Sequence, residues 1–123
     1  MVAQLRTADF TADHRGARVV LTGTADAQVS GTLESWLLAV VAEGPYAPEL
    51  VVDLVGLEFM TGGCVKAFVS LLDAFGDGAG AGTRLRFVSN RAHGWQRRSL
   101  AALACMAADL IVIDVQNPPS GIA

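Results

Sequence analysis

Long apolar runs are absent from this 123-residue chain. The longest ones cover residues 36–42 and 100–108, whereas a membrane-spanning helix needs roughly 20 apolar residues. Residues 1–12 mix charged and apolar side chains and therefore lack the apolar core of a secretory signal. We accordingly expect a cytoplasmic protein with no membrane insertion.

Cysteine and histidine, the side chains that most often hold metals or act in catalysis, are also scarce. Cys64 and Cys105 both lie in apolar segments, which predicts two buried, reduced thiols. His14 and His93 have no partner at the spacing of a metal site or a catalytic triad, so we predict two surface histidines. These shortages argue against an enzyme, a metal site and a bound cofactor.

Positive charge is limited and unevenly placed. The net charge of −3 gives no reason to expect a nucleic-acid partner. Lys66 is the only lysine, whereas residues 84–98 contain five arginines and no carboxylate. That stretch predicts either a solvated surface that balances acidic residues elsewhere or a surface that meets an acidic partner.

What the chain does contain is the alternation of strand and helix patterns typical of one α/β domain. A hydrophobic content of 52% argues against disorder. The predicted strands cover 17–22, 50–54, 84–89 and 110–115, and the predicted helices cover 30–43, 63–75 and 92–105. We expect a sandwich with a mainly parallel central sheet and helices packed on it, a core over about residues 17–115 and a frayed tail over 116–123.

Apolar residues at helical spacing define the buried sides of the first two helices. For the first helix the stripe is Leu33, Trp36, Leu37, Val40 and Val41. For the second helix the apolar stripe is Val65, Phe68, Val69 and Leu72, and the polar stripe is Lys66, Ser70, Asp73 and Asp77. The glycine-rich segment 76–82 leads from a helix to a strand, the reverse of the order in dinucleotide-binding loops.

The most informative segment is 51–69, where a β-branched run ends in Thr61-Gly62-Gly63 and a helix pattern follows at once. This pattern predicts a buried strand that enters a helix through a tight loop. Taken alone, Thr61 is typical of a helix N-cap, and the two glycines are typical of a turn with unusual φ angles. Taken together, they predict an open helix end whose backbone N–H groups an anion or a partner can approach.

Two neighbouring residues have alternative interpretations of the same kind. Cys64 is either a small core residue or a thiol activated by the helix start. Asp26 follows the first predicted strand and should lie at the same sheet edge as the Thr61 loop. It is either a partner-facing acid or a turn or N-cap residue of the first helix.

The order of these elements resembles the STAS domain of sulfate transporters and anti-sigma factor antagonists. Residues 21–26 (Leu-Thr-Gly-Thr-Ala-Asp) resemble the family strand that ends in Gly-x-x-Asp. Residues 53–60 (Asp-Leu-Val-Gly-Leu-Glu-Phe-Met) resemble its central strand, and residues 85–90 with the following helix resemble its final third. The resemblance covers about residues 17–115 and implies a bacterial regulatory module that binds other proteins.

The departure from the family falls at the loop that is phosphorylated in family antagonists. Where they have Asp-Ser-Ser-Gly-Leu, this chain has Thr61-Gly62-Gly63-Cys64-Val65, so glycines replace both serines. A one-residue gap would instead align Thr61 with the first serine, as in the STAS subunit of phospholipid-transport ATPase complexes. Thr61 is then the one candidate phosphoacceptor in the loop.

Two functions of different classes follow from the resemblance and the loop. The first is a non-catalytic interaction module, whose partner is an anti-sigma factor kinase, a signalling assembly or a transport ATPase. The second is a small-ligand binder whose backbone N–H groups hold a nucleotide phosphate or another anion. In either case the predicted binding residues are Thr61, Gly62, Gly63, Cys64, Lys66, Ser70 and Asp26.

Overall fold

The computed structural model describes residues 2–44, 46, 48–75 and 83–116. These residues form seven strands and three helices. The strands are β1 (Leu5–Arg6), β2 (Phe10–Arg15), β3 (Arg18–Ala25), β4 (Glu49–Asp53), β5 (Leu57–Met60), β6 (Arg84–Asn90) and β7 (Ile111–Gln116). The helices are α1 (Ser30–Ala42), α2 (Gly62–Ala74) and α3 (Gly94–Met106).

The strands form one sheet in the order β1-β2-β3-β4-β6-β7, and β5 pairs with the far end of β3. The pairs β1–β2 and β2–β3 are antiparallel, and the other four pairs are parallel. β4 is central, since Val52 lies between Val19 of β3 and Phe87 of β6. The predicted α/β architecture with a mainly parallel sheet is therefore confirmed.

All three helices pack on one face of the sheet and share a single hydrophobic core. Alternate strand residues such as Leu21, Val52 and Phe87 are fully buried in it, and Leu100 and Leu103 add the contribution of α3. The expected stripe of α1 is confirmed, because all five of its residues are buried. The other face of the sheet has no helix among the described residues and has paired charges instead.

The N-terminal hairpin was not predicted, and it makes the surface assignment of His14 wrong. His14 lies on β2 with 6% of its surface exposed. Its Nδ1 accepts the Val2 N–H at 3.0 Å, and its Nε2 lies 2.8 Å from the Gly16 carbonyl and 3.1 Å from the Tyr46 hydroxyl. Burial, with a smaller contribution from the Glu43 carboxylate, raises the pKa of Tyr46 above its ordinary value.

Strand β3 continues beyond its predicted end at residue 22, through Gly23 to Ala25. Gly23 has a φ of 91°, and the register with β5 shifts between Gly23 and Thr24. A Cβ atom at this position would lie 2.0 Å from the Asp9 carbonyl oxygen, so only glycine allows the strand to pass. The glycine that was interpreted as a turn is a bulge, and it extends β3 to the candidate site.

The segment that follows β4 also differs from its prediction as one central strand. The Leu57 N–H donates to the Leu54 carbonyl at 3.0 Å, and this turn separates β4 from β5. Glu58 therefore lies on β5, where it is exposed. Because this turn separates β5 from β4, β5 lies beside the end of β3, and the start of α2 lies next to Asp26.

Other predictions need smaller corrections. The buried face of α2 is rotated from the predicted stripe, since Val65 and Val69 are only half-buried. The residues of α2 that are buried are Cys64, Ala67, Phe68, Leu71 and Leu72. Cys105 is exposed on α3, which makes its predicted burial wrong, whereas that of Cys64 is confirmed. Gln116 belongs to β7 rather than to a frayed tail, and Asp77, residues 76–82 and residues 117–123 lie outside the described residues.

Candidate functional site

The first turns of α1 and α2 lie side by side at the edge of the sheet where β3 and β5 end. A Cβ atom added at Gly63 would lie 3.4 Å from the Cβ atom of Ser30. At Gly31 and Gly62 an added Cβ atom would meet nothing within 4 Å. The two helix starts therefore enclose an open groove, which we call the α1–α2 groove. Its volume is about 310 Å³, and it is lined by Ser30, Gly31, Glu34, Gly63, Lys66 and Ala67.

The Thr61 loop is fixed to the end of β3 by its backbone. The Thr61 N–H donates to the Ala25 carbonyl at 3.0 Å, and the Thr61 carbonyl accepts from Cys64 at 3.0 Å and from Val65 at 3.2 Å. Thr61 occupies the N-cap position with extended backbone angles, but its side chain makes no capping hydrogen bond. Its hydroxyl instead donates to the Cys64 sulfur at 3.6 Å. The interpretation of Thr61 as an N-cap residue is thus confirmed in position, although its side chain makes no capping hydrogen bond.

The first backbone donors of α2 are consequently left for a ligand. The N–H groups of Gly62 and Gly63 precede the first intrahelical hydrogen bonds, and no side chain caps them. Neither glycine has a positive φ, so the predicted unusual backbone conformation is wrong. The helical backbone does not require glycine, since ordinary residues could adopt it. The effect of the glycines is to keep the groove free of side chains.

Cys64 joins the loop to the end of β3, and Asp26 lies beside it. Cys64 is fully buried, and its thiol lies 3.3 Å from the Asp26 carbonyl and 3.6 Å from the Ala25 carbonyl. It joins α2 to β3 beneath the surface, where a protein partner cannot reach it. Asp26 is exposed beside the loop, and its carboxylate accepts the Gln28 N–H at 2.9 Å in a turn before α1.

The two predicted binding residues on α2 differ in how they are engaged. Ser70 is half-buried and donates its hydroxyl hydrogen bond to the Glu34 carboxylate of α1. Lys66 is exposed on the wall of the groove and makes no ion pair within residues 2–44, 46, 48–75 and 83–116. Lys66 is therefore the side chain of the groove that is available to an acidic group.

A second surface, which the sequence analysis did not assign, lies where β5 meets α3. Phe59 is 49% exposed, and its ring lies 6.5 Å from the ring of Trp95. The Trp95 indole N–H donates to the Glu58 carbonyl at 2.8 Å. Trp95 is partly buried and packs against the core. The exposure of Phe59 could not be predicted, because the sequence pattern did not separate its strand from β4.

The described residues offer little for other kinds of site. None of their histidines, cysteines and carboxylates form a group of three that could hold a metal ion. None of the helices in the described ranges is long and apolar enough to cross a bilayer.

The chain matches no protein-family model and no curated protein sequence. Its structure is similar to an anti-sigma factor antagonist from Mycobacterium paratuberculosis, with a TM-score of 0.59, 21% identity, and coverage of 85% of this chain and 83% of that chain. This chain has a STAS-like fold.

Two further STAS-like neighbours come from Pseudomonas aeruginosa. One is a chain of the complex between the diguanylate cyclase SiaD and its activator SiaC, with a TM-score of 0.62, 15% identity, and coverage of 93% of this chain and 99% of that chain. The other is SiaC, with a TM-score of 0.53, 18% identity, and coverage of 94% and 99%. The neighbours are regulatory proteins, and SiaC binds and activates an enzyme as a protein partner.

Proposed function

We propose that this chain is a non-catalytic regulatory module that binds a protein partner through the α1–α2 groove. The observation that carries the proposal is the groove itself, where two helix starts meet around glycines and leave backbone donors uncapped. A helix that only packs on the core needs neither an open groove beside its first turn nor uncapped backbone N–H groups. The proposed contacts are Thr61, Gly62, Gly63 and Lys66, with Asp26 at the rim.

The chemistry of the groove favours an acidic or carbonyl-rich segment of the partner. The N–H groups of Gly62 and Gly63 lie at the positive end of α2, and Lys66 adds a full positive charge one turn later. Glu34 is engaged by Ser70, which lowers the competition of this carboxylate for Lys66. Cys64 and Ser70 then support the binding residues by joining α2 to β3 and to α1.

The structural neighbours support a regulatory function and do not identify the partner of this chain. An anti-sigma factor antagonist and a cyclase activator are both proteins that regulate other proteins. The proposed partner of this chain is an anti-sigma factor kinase, a signalling assembly or a transport ATPase, in the bacterial cytoplasm. A phospholipid-transport ATPase is the alternative suggested by the Thr61-Gly62-Gly63 loop.

Regulation by serine phosphorylation in the loop is absent from this proposal, because glycine has no hydroxyl group. Thr61 is the remaining acceptor, but its half-buried hydroxyl is engaged with the Cys64 sulfur. We propose that binding is constitutive or is regulated elsewhere. Intact mass after incubation with a cognate kinase and ATP should stay unchanged, and a phosphate mapped to Thr61 would contradict this part of the proposal.

The test uses Gly63→Arg and candidate partners encoded beside this chain. The added side chain fills the groove and places a cation at the positive end of α2, so affinity should fall by about tenfold or more. Ala102→Arg adds the same side chain to an exposed position on α3 and should bind normally. Both variants should melt near the parent. Normal binding by folded Gly63→Arg would contradict the groove, and binding of nucleotide in place of any protein would favour the small-ligand alternative.

A further inference from the structure

A separate cleft lies at the start of α3, outside the α1–α2 groove. Its volume is about 260 Å³, and β6, the turn after it, α3 and Val115 of β7 form its walls. The carboxyl ends of the parallel strands β6 and β7 meet at this point. Its lining includes Arg91, His93 and Arg97.

Positive charge at this cleft is not balanced within the described residues. Arg91 and Arg97 are exposed, and neither makes an ion pair or a side-chain hydrogen bond in the part of the chain that the structure describes. Arg98 adds a third guanidinium, whose Nη1 would lie 3.8 Å from a Cβ atom added at Gly94. Residues 84–108 contain no carboxylate that could neutralise the three arginines from nearby in the chain.

Free hydrogen-bond donors are concentrated in the cleft. The Asn90 amide is engaged with the Val55 carbonyl and the Ala92 N–H, and the Ser89 hydroxyl donates to the Asp114 carbonyl. No side chain caps the start of α3, which leaves the N–H groups of Gly94 and Trp95 open, whereas that of Gln96 donates to the His93 carbonyl at 3.0 Å. Guanidinium groups and open backbone N–H groups together match an anion with several acceptor oxygens.

We propose that the cleft binds the phosphate group of a small phosphomonoester. Arg91 and Arg97 can each offer two parallel N–H donors to phosphate oxygens, which a lysine cannot do. A cleft of about 260 Å³ accepts a phosphate with a small organic group, since sites for drug-sized ligands begin at about 300 Å³. The site is independent of the α1–α2 groove and goes beyond the proposed protein interaction.

The experiment titrates the full chain with inorganic phosphate and with O-phosphoserine at constant ionic strength, following backbone amides by NMR. Saturable shifts are expected at Gly94 and Trp95. Arg97→Gln should weaken binding by about tenfold or more, because a charge-assisted pair is lost. Arg97→Lys should weaken it less. Arg84→Gln removes an exposed arginine from the opposite end of β6 and should leave binding unchanged.

The outcomes separate this site from the proposed function. Gly63→Arg should bind phosphate normally, and Arg97→Gln should bind the protein partner normally. A short phosphoserine peptide that binds more tightly than O-phosphoserine would support the site and indicate that the phosphate it binds belongs to a phosphorylated protein. No saturable shift, equal losses in Arg97→Gln and Arg84→Gln, or shifts confined to Gly62 and Gly63 would each overturn the proposal.

Discussion

The arginines of the open sheet face and those at the start of α3 differ in their partners. On the sheet, Arg18 pairs with Asp53, and Arg86 lies 3.0 Å from Glu49 and 2.8 Å from Asp114. The hydrogen bonds that Arg86 donates to Glu49 and, with a smaller effect, to Asp114 raise the pKa of Arg86 above its ordinary value. At the start of α3 the arginines have no such partners among the described residues.

The same contrast extends to other polar groups of the molecule. The buried His14 has partners for both ring nitrogens, whereas the helix starts at Gly62 and Gly94 have uncapped N–H groups. Polar groups that are satisfied within the chain stabilise the fold, and groups left open are available for binding. Changes on the sheet side should therefore lower stability, and changes at the helix starts should lower binding.

The largest loss of stability is expected from His14→Ala. The variant leaves the Val2 N–H without its acceptor and opens a cavity between β2 and Tyr46. We expect the free energy of unfolding to fall by about 2–3 kcal/mol, measured by urea denaturation. Partner affinity of the folded fraction should be unchanged. A stability equal to that of the parent would show that this buried cluster does not hold the N-terminal hairpin.

A smaller loss is expected from Arg86→Gln, which leaves Glu49 and Asp114 near each other without their shared cation. Because these side chains are partly exposed, solvent screens their repulsion. The urea midpoint should fall by less than for His14→Ala. Arg84→Gln, on the same strand and without an ion pair among the described residues, is the matched control and should leave the midpoint unchanged. Equal midpoints for the two variants would break the contrast between paired and unpaired arginines.

The smallest effect on stability is expected from Gly62→Ala, and its sign is opposite. The backbone is helical, and the added Cβ atom meets nothing within 4 Å. The unfolding free energy should therefore rise by about 0.4–1 kcal/mol, because alanine restricts the unfolded chain. Partner affinity should fall, since the methyl group stands beside the open N–H groups at the start of α2. A variant that is both more stable and fully active in binding would show that the glycine is not kept for the groove.

Much of the architecture could be predicted because the buried parts have strong periodic patterns. The stripe of α1 and the continuous apolar run of β4 gave their positions to within one residue. The N-terminal hairpin could not be predicted, since its short strands mix charged and apolar residues and depend on pairing with β3. The bulge at Gly23 could not be predicted either, because only the close approach of the Asp9 carbonyl to this residue distinguishes a bulge from a turn.

The position of the candidate site in the chain could be predicted, but the groove that the site forms could not. The sequence located the Thr61 loop and its proximity to Asp26, which depend on strand order. It did not reveal that α1 supplies one wall of the groove through Ser30 and Glu34, since helix–helix packing is a tertiary property. The engagement of Ser70 with Glu34 was missed for the same reason.

The most direct test of the account compares Lys66→Glu and Arg84→Glu, two equal charge reversals at exposed cations. Affinity for a confirmed partner and melting temperature are measured by calorimetry on the same samples. We predict that Lys66→Glu lowers affinity by about tenfold or more with a nearly unchanged melting temperature, and that Arg84→Glu changes neither. Unchanged affinity in Lys66→Glu would contradict docking in the α1–α2 groove.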